Sequence, residues 1–360
     1  MISLSRKKIC LVFGTRPEII KLSPIIRFCQ SKNADYFMIH TGQHYSYDMD
    51  RVFFSELALP KPKYRLKSQK ASRSQAGAMI GQLVSILSKE APDVVFVQGD
   101  TNSVLAGAIA ASMLRIPVAH VEAGLRSFDR TMPEEVNRII ADHLSSYLFA
   151  PTQAAKQNAT REGISASKIY ITGNTIVDSV DQNIALSKKS NILKELGLQK
   201  QKYILATAHR QENADSRERL FGIIRGLELV SEKLGVPVIY PIHPRTRKMA
   251  RKFGIKTKNI TMIKPLGFLD FLQLESNAKL IMTDSGGMQE EACILGVPCV
   301  TLRDNTERPE TIDAGCNMLS GTDPKSILSS AEQMVAKKSI KKNPFGDGKA
   351  TERIMKVVMR

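Results

Sequence analysis

Several acidic, basic and histidine side chains of this 360-residue chain stand directly after short apolar runs, where strands end and turns begin. Asp100 follows Val94 to Val97 through Gln98-Gly99, and Glu122 follows Val118 to Val121. If those runs are consecutive strands of one sheet, the two carboxylates are neighbours at its rim. Clustered carboxylates raise one another's pKa, which is how acid and base roles separate. A rim hydrogen bond to a loop is the plainer alternative for both. Glu134 and Glu135 follow Pro133 at a helix start, in the loop that leaves Glu122. Glu135 reads as a partner of the helix dipole.

Two glycine turns suit anions. Gly14-Thr15-Arg16-Pro17-Glu18 joins an apolar run to a helix, whose first backbone N–H groups attract negative charge, and Arg16 and Lys21 add positive charge nearby. A plain turn with a solvated arginine is the alternative. Thr283-Asp284-Ser285-Gly286-Gly287 opens a second helix through Gln289-Glu290-Glu291. Its glycines let backbone approach a phosphate, and Ser285 could donate to one or cap the helix. Glu291, one turn on, is placed to accept from a ribose hydroxyl pair. Two such turns suit a nucleotide diphosphate. The first turn is not GxGxxG and GxxxxGK[ST] is absent, so dinucleotide and P-loop readings lose their support. His209, in Thr207-Ala208-His209-Arg210, and His243, in Ile242-His243-Pro244-Arg245, suit phosphate binding or acid catalysis, unless they are simply hydrogen-bonded loop histidines. His40 and His44 border Thr41-Gly42-Gln43 and could structure that loop, while His120 reads as core. No HxH or HExxH spacing supports a metal.

Strands alternating with helices would position these groups. Apolar runs at Ile9–Phe13, Asp35–His40, Val94–Val97, Val118–Val121 and Tyr147–Ala150 predict strands, and the pattern restarts from Tyr203. There the runs Ile204–Ala206, Val238–Pro241, Ile260–Ile263, Leu280–Thr283 and Cys299–Leu302 predict five more, with a break between the halves near Ile171 to Asp178. The fold class is therefore α/β, two Rossmann-like domains of parallel sheet covered by helices, with the facing carboxyl edges as the default cleft. We expect residues 1–174 and 175–344 to form the domains, with 345–360 a C-terminal helix packing back towards the first.

Composition bounds the rest. Hydrophobic residues at 42% and charged residues at 24% exclude bulk disorder. The net charge of +17 comes almost wholly from three Lys-rich stretches, 61–73, 188–202 and 337–360. They lack interleaved aromatics and read as solvated surface, so no nucleic-acid partner is expected. Val104 to Leu114, the longest charge-free apolar run, is far short of the roughly 20 residues a membrane span needs, and the N-terminal apolar stretch is too short for a signal peptide. Five scattered cysteines without a CxxC pair indicate neither a disulfide framework nor a zinc site. A cytoplasmic protein without a membrane partner is expected.

The segments GTRPEIIKLSP, TGQH, QGDTNS, HVEAGLRS, MPEEVNR, GNTIVDS, AHRQEN, IHPR, TDSGGMQEEA and NPFGDGKA occur in this order. From about residue 8 to the C-terminus the chain resembles the non-hydrolysing UDP-N-acetylglucosamine 2-epimerases, which have the glycosyltransferase-B architecture. The resemblance implies interconversion of UDP-GlcNAc and UDP-ManNAc by loss and return of UDP through 2-acetamidoglucal. It implies Asp100, Glu122 and Glu134 as catalytic acids and His209 as a catalytic positive group. Arg16 and Lys21 would serve the diphosphate, Ser285, Gly286 and Gly287 the phosphates, Glu291 the ribose and Phe271 the uracil; Arg210, His243 and Gln43 are further candidates. No cofactor and no metal is implied, because elimination itself erases the C2 stereochemistry. A homodimer is implied. The same chemistry on another UDP-sugar, such as a UDP-2,3-diacetamido-uronic acid, or a glycosyltransferase of this architecture, is the alternative. Several bacterial members are activated by UDP-GlcNAc bound beside the active site; here Tyr45 and Ser46 replace the residues expected for that, so the resemblance does not establish that activation for this chain.

Overall fold

The computed structural model describes residues 7–43, 47–67, 75–337 and 343–360. The chain divides into two compact units: residues 1–182 together with Phe345–Arg360, and Asn183–Pro344. The division falls inside the helix Thr175–Ser187.

Among the described residues, the first unit holds a seven-stranded parallel sheet: β1 (Ile9–Phe13), β2 (Tyr36–His40), β3 (Tyr64–Arg65), β4 (Val94–Gln98), β5 (Val118–Val121), β6 (Tyr147–Ala150) and β7 (Ile169–Ile171), in the order β3-β2-β1-β4-β5-β6-β7. The central strands are apolar on both faces because helices cover both, and β1 and β4 are buried throughout. The helix Asn102–Met113 after β4 is rich in small residues and lies close on the sheet, where a Cβ on Gly107 would stand 2.8 Å from Val97 Cγ1. Thr101 caps it, accepting from the Val104 N–H. The helix Ala350–Val358 belongs to this unit, its first backbone N–H groups donating to the Asp178 carboxylate at 3.2 and 2.9 Å from Ala350 and Thr351.

The second unit holds a six-stranded parallel sheet among the described residues: β8 (Ile204–Thr207), β9 (Val238–Pro241), β10 (Ile260–Ile263), β11 (Leu280–Thr283), β12 (Cys299–Thr301) and β13 (Asn317–Leu319), in the order β10-β9-β8-β11-β12-β13. All its pairings are parallel. The strands β3, β7 and β13, two or three residues long, escape the sequence reading because so short a run shows no periodicity; β3 and β13 are sheet edges, as is β7. The cysteine reading needs correction. Cys293 and Cys316, 23 residues apart with no motif between them, are disulfide-bonded with Cα atoms 5.4 Å apart, while Cys10, Cys29 and Cys299 are buried thiols. The fold brings the pair together by packing the helix Gly286–Leu295 against the chain that enters β13. Among the described residues no helix is long and apolar enough to cross a membrane.

Candidate active site

In the first unit β4 and β5 pair side by side, Gln98 opposite Val121, so Asp100 and Glu122 leave adjacent strands at one end of the sheet. Glu122 is buried, and its backbone has φ +68°, a left-handed conformation that a side chain rarely adopts. Lys21 Nζ lies 2.5 Å from Glu122 Oε2, and Gln98 Nε2 donates to the same oxygen at 2.8 Å. Lys21, expected at the diphosphate, thus joins the carboxylate group. Asp100 is more open and ion-pairs with Arg138. Arg138 also bonds Glu135 at 2.5 Å, and Glu135 accepts from the backbone N–H groups of Ser127 and Phe128, both at 2.9 Å. Glu135 is therefore a buried anchor of the loop preceding its helix, and Glu134 is the half-buried carboxylate of that first turn.

A buried polar network braces both strand ends from below. His120 sits between Asp142 Oδ1 at 2.7 Å and the Gly99 carbonyl at 2.8 Å. Burial pushes the Asp142 carboxyl up, but hydrogen bonding and charge from His120, then Arg126, hold it below the ordinary carboxylate range. His120 bridges the Asp142 carboxylate and the Gly99 carbonyl through its two ring nitrogens. Gly99 is thereby fixed next to Asp100.

Around the first glycine turn, Glu18 accepts from the Gly14 N–H at 3.0 Å and from Thr101 Oγ1 at 2.8 Å, which ties this turn to the loop that follows Asp100. Burial pushes its carboxyl up to about 7 against those donors. Arg16 lies over the Phe53 ring, 5.4 Å from its centroid. Gln43 accepts from Ser103 N–H and Oγ at 2.9 and 2.8 Å, so its side chain braces the loop. His44, Tyr45 and Ser46 lie outside the described residues, as do 68–74 and 338–342 of the Lys-rich stretches.

In the second unit, Asp284 organises the turn. Fully buried, it accepts from the His209 N–H at 3.0 Å, the Arg210 N–H at 3.0 Å and Asn213 Nδ2 at 3.1 Å. The His209 ring is 45% exposed, with Nδ1 3.5 Å from Asp284 Oδ1, and the His243 ring centroid is 6.4 Å away. His243 Nδ1 accepts from the Arg245 N–H, capping the helix Pro244–Lys252. Ser285 stands at the cap position of its helix, yet its hydroxyl makes no capping hydrogen bond. Gly286 is required by its neighbour: a Cβ there would lie 2.7 Å from Glu307 Oε1, the oxygen that accepts from Arg210 at 2.9 Å. Arg303 and Arg308 complete this buried ion-pair network with Glu307 and Glu290. Phe271 packs half-buried on the core, and Glu291 is 9% exposed.

Sequence reasoning did not single out Glu18, Gln98, Arg138, Asp284 or Glu307. Glu18 and Asp284 lie within the quoted turns, and their placement beside a glycine at a strand end was the available signal. Arg138 lies within the quoted MPEEVNR segment, whereas Glu307 gave no signal, since its partner Arg210 is remote in sequence.

The profile of a family described as UDP-N-acetylglucosamine 2-epimerase matches residues 27–359. A Methanocaldococcus jannaschii protein named UDP-N-acetylglucosamine 2-epimerase is 52% identical, covering 98% of this chain and 98% of its own. A Pseudomonas aeruginosa protein named UDP-2,3-diacetamido-2,3-dideoxy-D-glucuronate 2-epimerase is 40% identical, with 96% and 98% covered. The crystal structure of Methanocaldococcus jannaschii UDP-GlcNAc 2-epimerase in complex with UDP-GlcNAc and UDP matches with a TM-score of 0.93 and 53% identity, over 98% of this chain and 99% of that one. The Neisseria meningitidis UDP-GlcNAc 2-epimerase bound to UDP-GlcNAc matches with a TM-score of 0.90 and 34% identity, again over 98% and 99%. With nearly its whole length matched in sequence and in fold, the chain belongs to the UDP-N-acetylglucosamine 2-epimerase family.

Proposed function

We propose that the protein interconverts UDP-GlcNAc and UDP-ManNAc without hydrolysis, by eliminating UDP to 2-acetamidoglucal and adding it back. A base takes the C2 proton, the C2–H pair becomes the C1–C2 double bond, and the C1–O pair leaves with UDP. Re-addition returns the C1–O bond and delivers a proton to the other face of C2. In the gluco sugar that hydrogen is on the face opposite UDP, and in the manno sugar on the same face, so acid/base groups are needed on two faces. Asp100, Glu122 and Glu134 take these roles. Charge builds on the diphosphate as C1–O breaks, and fixed positive groups lower the barrier. Arg16, Lys21 and His209 serve there, Ser285, Gly286 and Gly287 hold the phosphates, Glu291 the ribose and Phe271 the uracil, with Arg210, His243 and Gln43 in support. The reading also takes the protein to be a cytoplasmic homodimer.

The observation that carries the reading is Glu122: a buried carboxylate in left-handed backbone, held by Lys21 and Gln98 at the rim that also bears Asp100. Incubation with UDP-GlcNAc alone in D2O, followed by proton NMR, tests it. Formation of UDP-ManNAc carrying deuterium at C2 is expected. Unchanged UDP-GlcNAc would overturn this assignment. The 40% identical relative favours a second substrate, a UDP-2,3-diacetamido-uronic acid, and its turnover in the same experiment in place of UDP-GlcNAc would select it.

A further inference from the structure

Beneath the rim that bears Asp100 and Glu122 lies a carboxylate that the proposed chemistry leaves unused. Asp142, near the end of the helix Pro133–Leu144, is fully excluded from solvent. Glu134, Arg138 and Asp142 recur four residues apart, which places them along one side of that helix. Arg138 pairs with Asp100, and Asp142 meets the chain that carries Glu122.

Asp142 Oδ1 lies 2.7 Å from His120 Nδ1. Its Oδ2 accepts from the Gly124 N–H at 3.1 Å and lies 2.8 Å from Arg126 Nη1. His120 stands two residues before Glu122 and Gly124 two residues after it, so one carboxylate holds the chain on both sides of the left-handed Glu122 backbone. The other ring nitrogen of His120, Nε2, meets the Gly99 carbonyl at 2.8 Å, in the peptide that leads into Asp100. A carbonyl only accepts, so Nε2 carries a proton. The Gly99 N–H donates in turn to the Val121 carbonyl at 3.1 Å, beside Glu122. Both rim carboxylates thus hang from backbone that one buried side chain ties together.

We propose that Asp142, acting through His120 and Gly124, is a positioning residue that fixes the Asp100 and Glu122 carboxylates relative to each other for proton transfer at C2. The proposal rests on the reading of those two as catalytic acids. Asp142 itself, sealed from solvent, does not touch the sugar.

Steady-state kinetics with UDP-GlcNAc test it on the full chain, with active sites counted by calorimetric titration with UDP. A reacting group displaced by about 1 Å can cost about 100-fold in rate. Asp142→Ala should therefore lower kcat about 10- to 100-fold while UDP affinity stays within about threefold. Arg126 keeps Glu162, at 2.7 and 2.6 Å, in that variant. Asp142→Asn should stay within about threefold of the wild-type kcat. The Gly124 N–H and Arg126 can only donate, so they take the new amide oxygen; the amide NH2 then faces His120 Nδ1, and Nε2 keeps its proton for Gly99. His120→Asn, too short to reach Gly99, carries the expectation of the alanine variant should that one misfold. Combined with Asp100→Asn, Asp142→Ala should give a loss at least about fivefold smaller than the product of the separate losses, because both act on one transfer.

A wild-type kcat in Asp142→Ala or His120→Asn, with Asp100→Asn impaired, would overturn the role of Asp142 and leave the catalytic assignment standing. Losses that simply multiply, or an asparagine variant as impaired as the alanine one, would overturn that role too. A near-normal kcat in both Asp100→Asn and Glu122→Gln would overturn the catalytic assignment, and the role of Asp142 with it.

Discussion

Glu122 is costly to hold where it is. A left-handed backbone at a non-glycine residue costs on the order of 1 kcal/mol, and such strain collects at functional sites. The ion pair with Lys21 and the hydrogen bond from Gln98 keep the side chain in place at that cost. If the carboxylates move the C2 proton, then Asp100→Asn, Glu122→Gln and Glu134→Gln should each lower kcat by about 100-fold or more, with UDP affinity within a few-fold of wild type. Steady-state kinetics with calorimetry check this, and a near-normal kcat removes that residue from the set. Glu18 has a different consequence. Burial pushes it from an ordinary 4.5 up to about 7, so between those values the folded chain holds a proton that the unfolded chain has lost. Stability from this group is therefore present at low pH and falls as pH rises from about 4.5 to 7, by up to roughly 3 kcal/mol. Glu18→Gln should flatten that part of the stability curve measured by denaturant titration; an unchanged slope refutes the assignment.

Turns between strand and helix place the site, and several admit only one residue type. Gly124, two residues after Glu122, has φ +80°, and a Cβ there would overlap the carbonyl of Ala155. Gly124→Ala should destabilise the protein by roughly 2–4 kcal/mol through strain and steric overlap together, with a matching fall in the denaturant midpoint. A change below about 0.5 kcal/mol, the size of an ordinary surface substitution, would mean that the turn relaxes. The strands that carry these turns were visible as apolar runs because helices cover both faces of a parallel sheet, so no polar alternation interrupts them. The expected limits differ from the observed ones by one residue where they differ, as at Asp35, Gln98 and Leu302. Glu135 stands in the first turn of its helix, as expected, and has a second role besides. A first-turn glutamate suits the helix dipole on any helix, and only the loop folding back shows it accepting from Ser127 and Phe128.

The two units have separate sheets and separate cores. A nucleotide recognised by Ser285 to Glu291 should therefore stabilise Asn183–Pro344 first. At 100 times its Kd, UDP adds about 2.7 kcal/mol to the state that binds it. Hydrogen exchange should show slowed amides around residues 284–291 and in β11, and equal protection spread over β1 to β7 would contradict a nucleotide site in the second unit. The amino-acid sequence already disclosed the class, the longer strands and the family, because buried parallel strands and glycine turns leave local marks that neighbouring residues suffice to write. Its order of motifs also named the charged groups worth testing. Tertiary structure alone decided their company: Lys21 with Glu122, Arg138 with Asp100, Asp284 beneath His209 and Cys293 with Cys316. Charge pairing and hydrogen bonding act over a few ångströms, between residues that only folding brings within that distance.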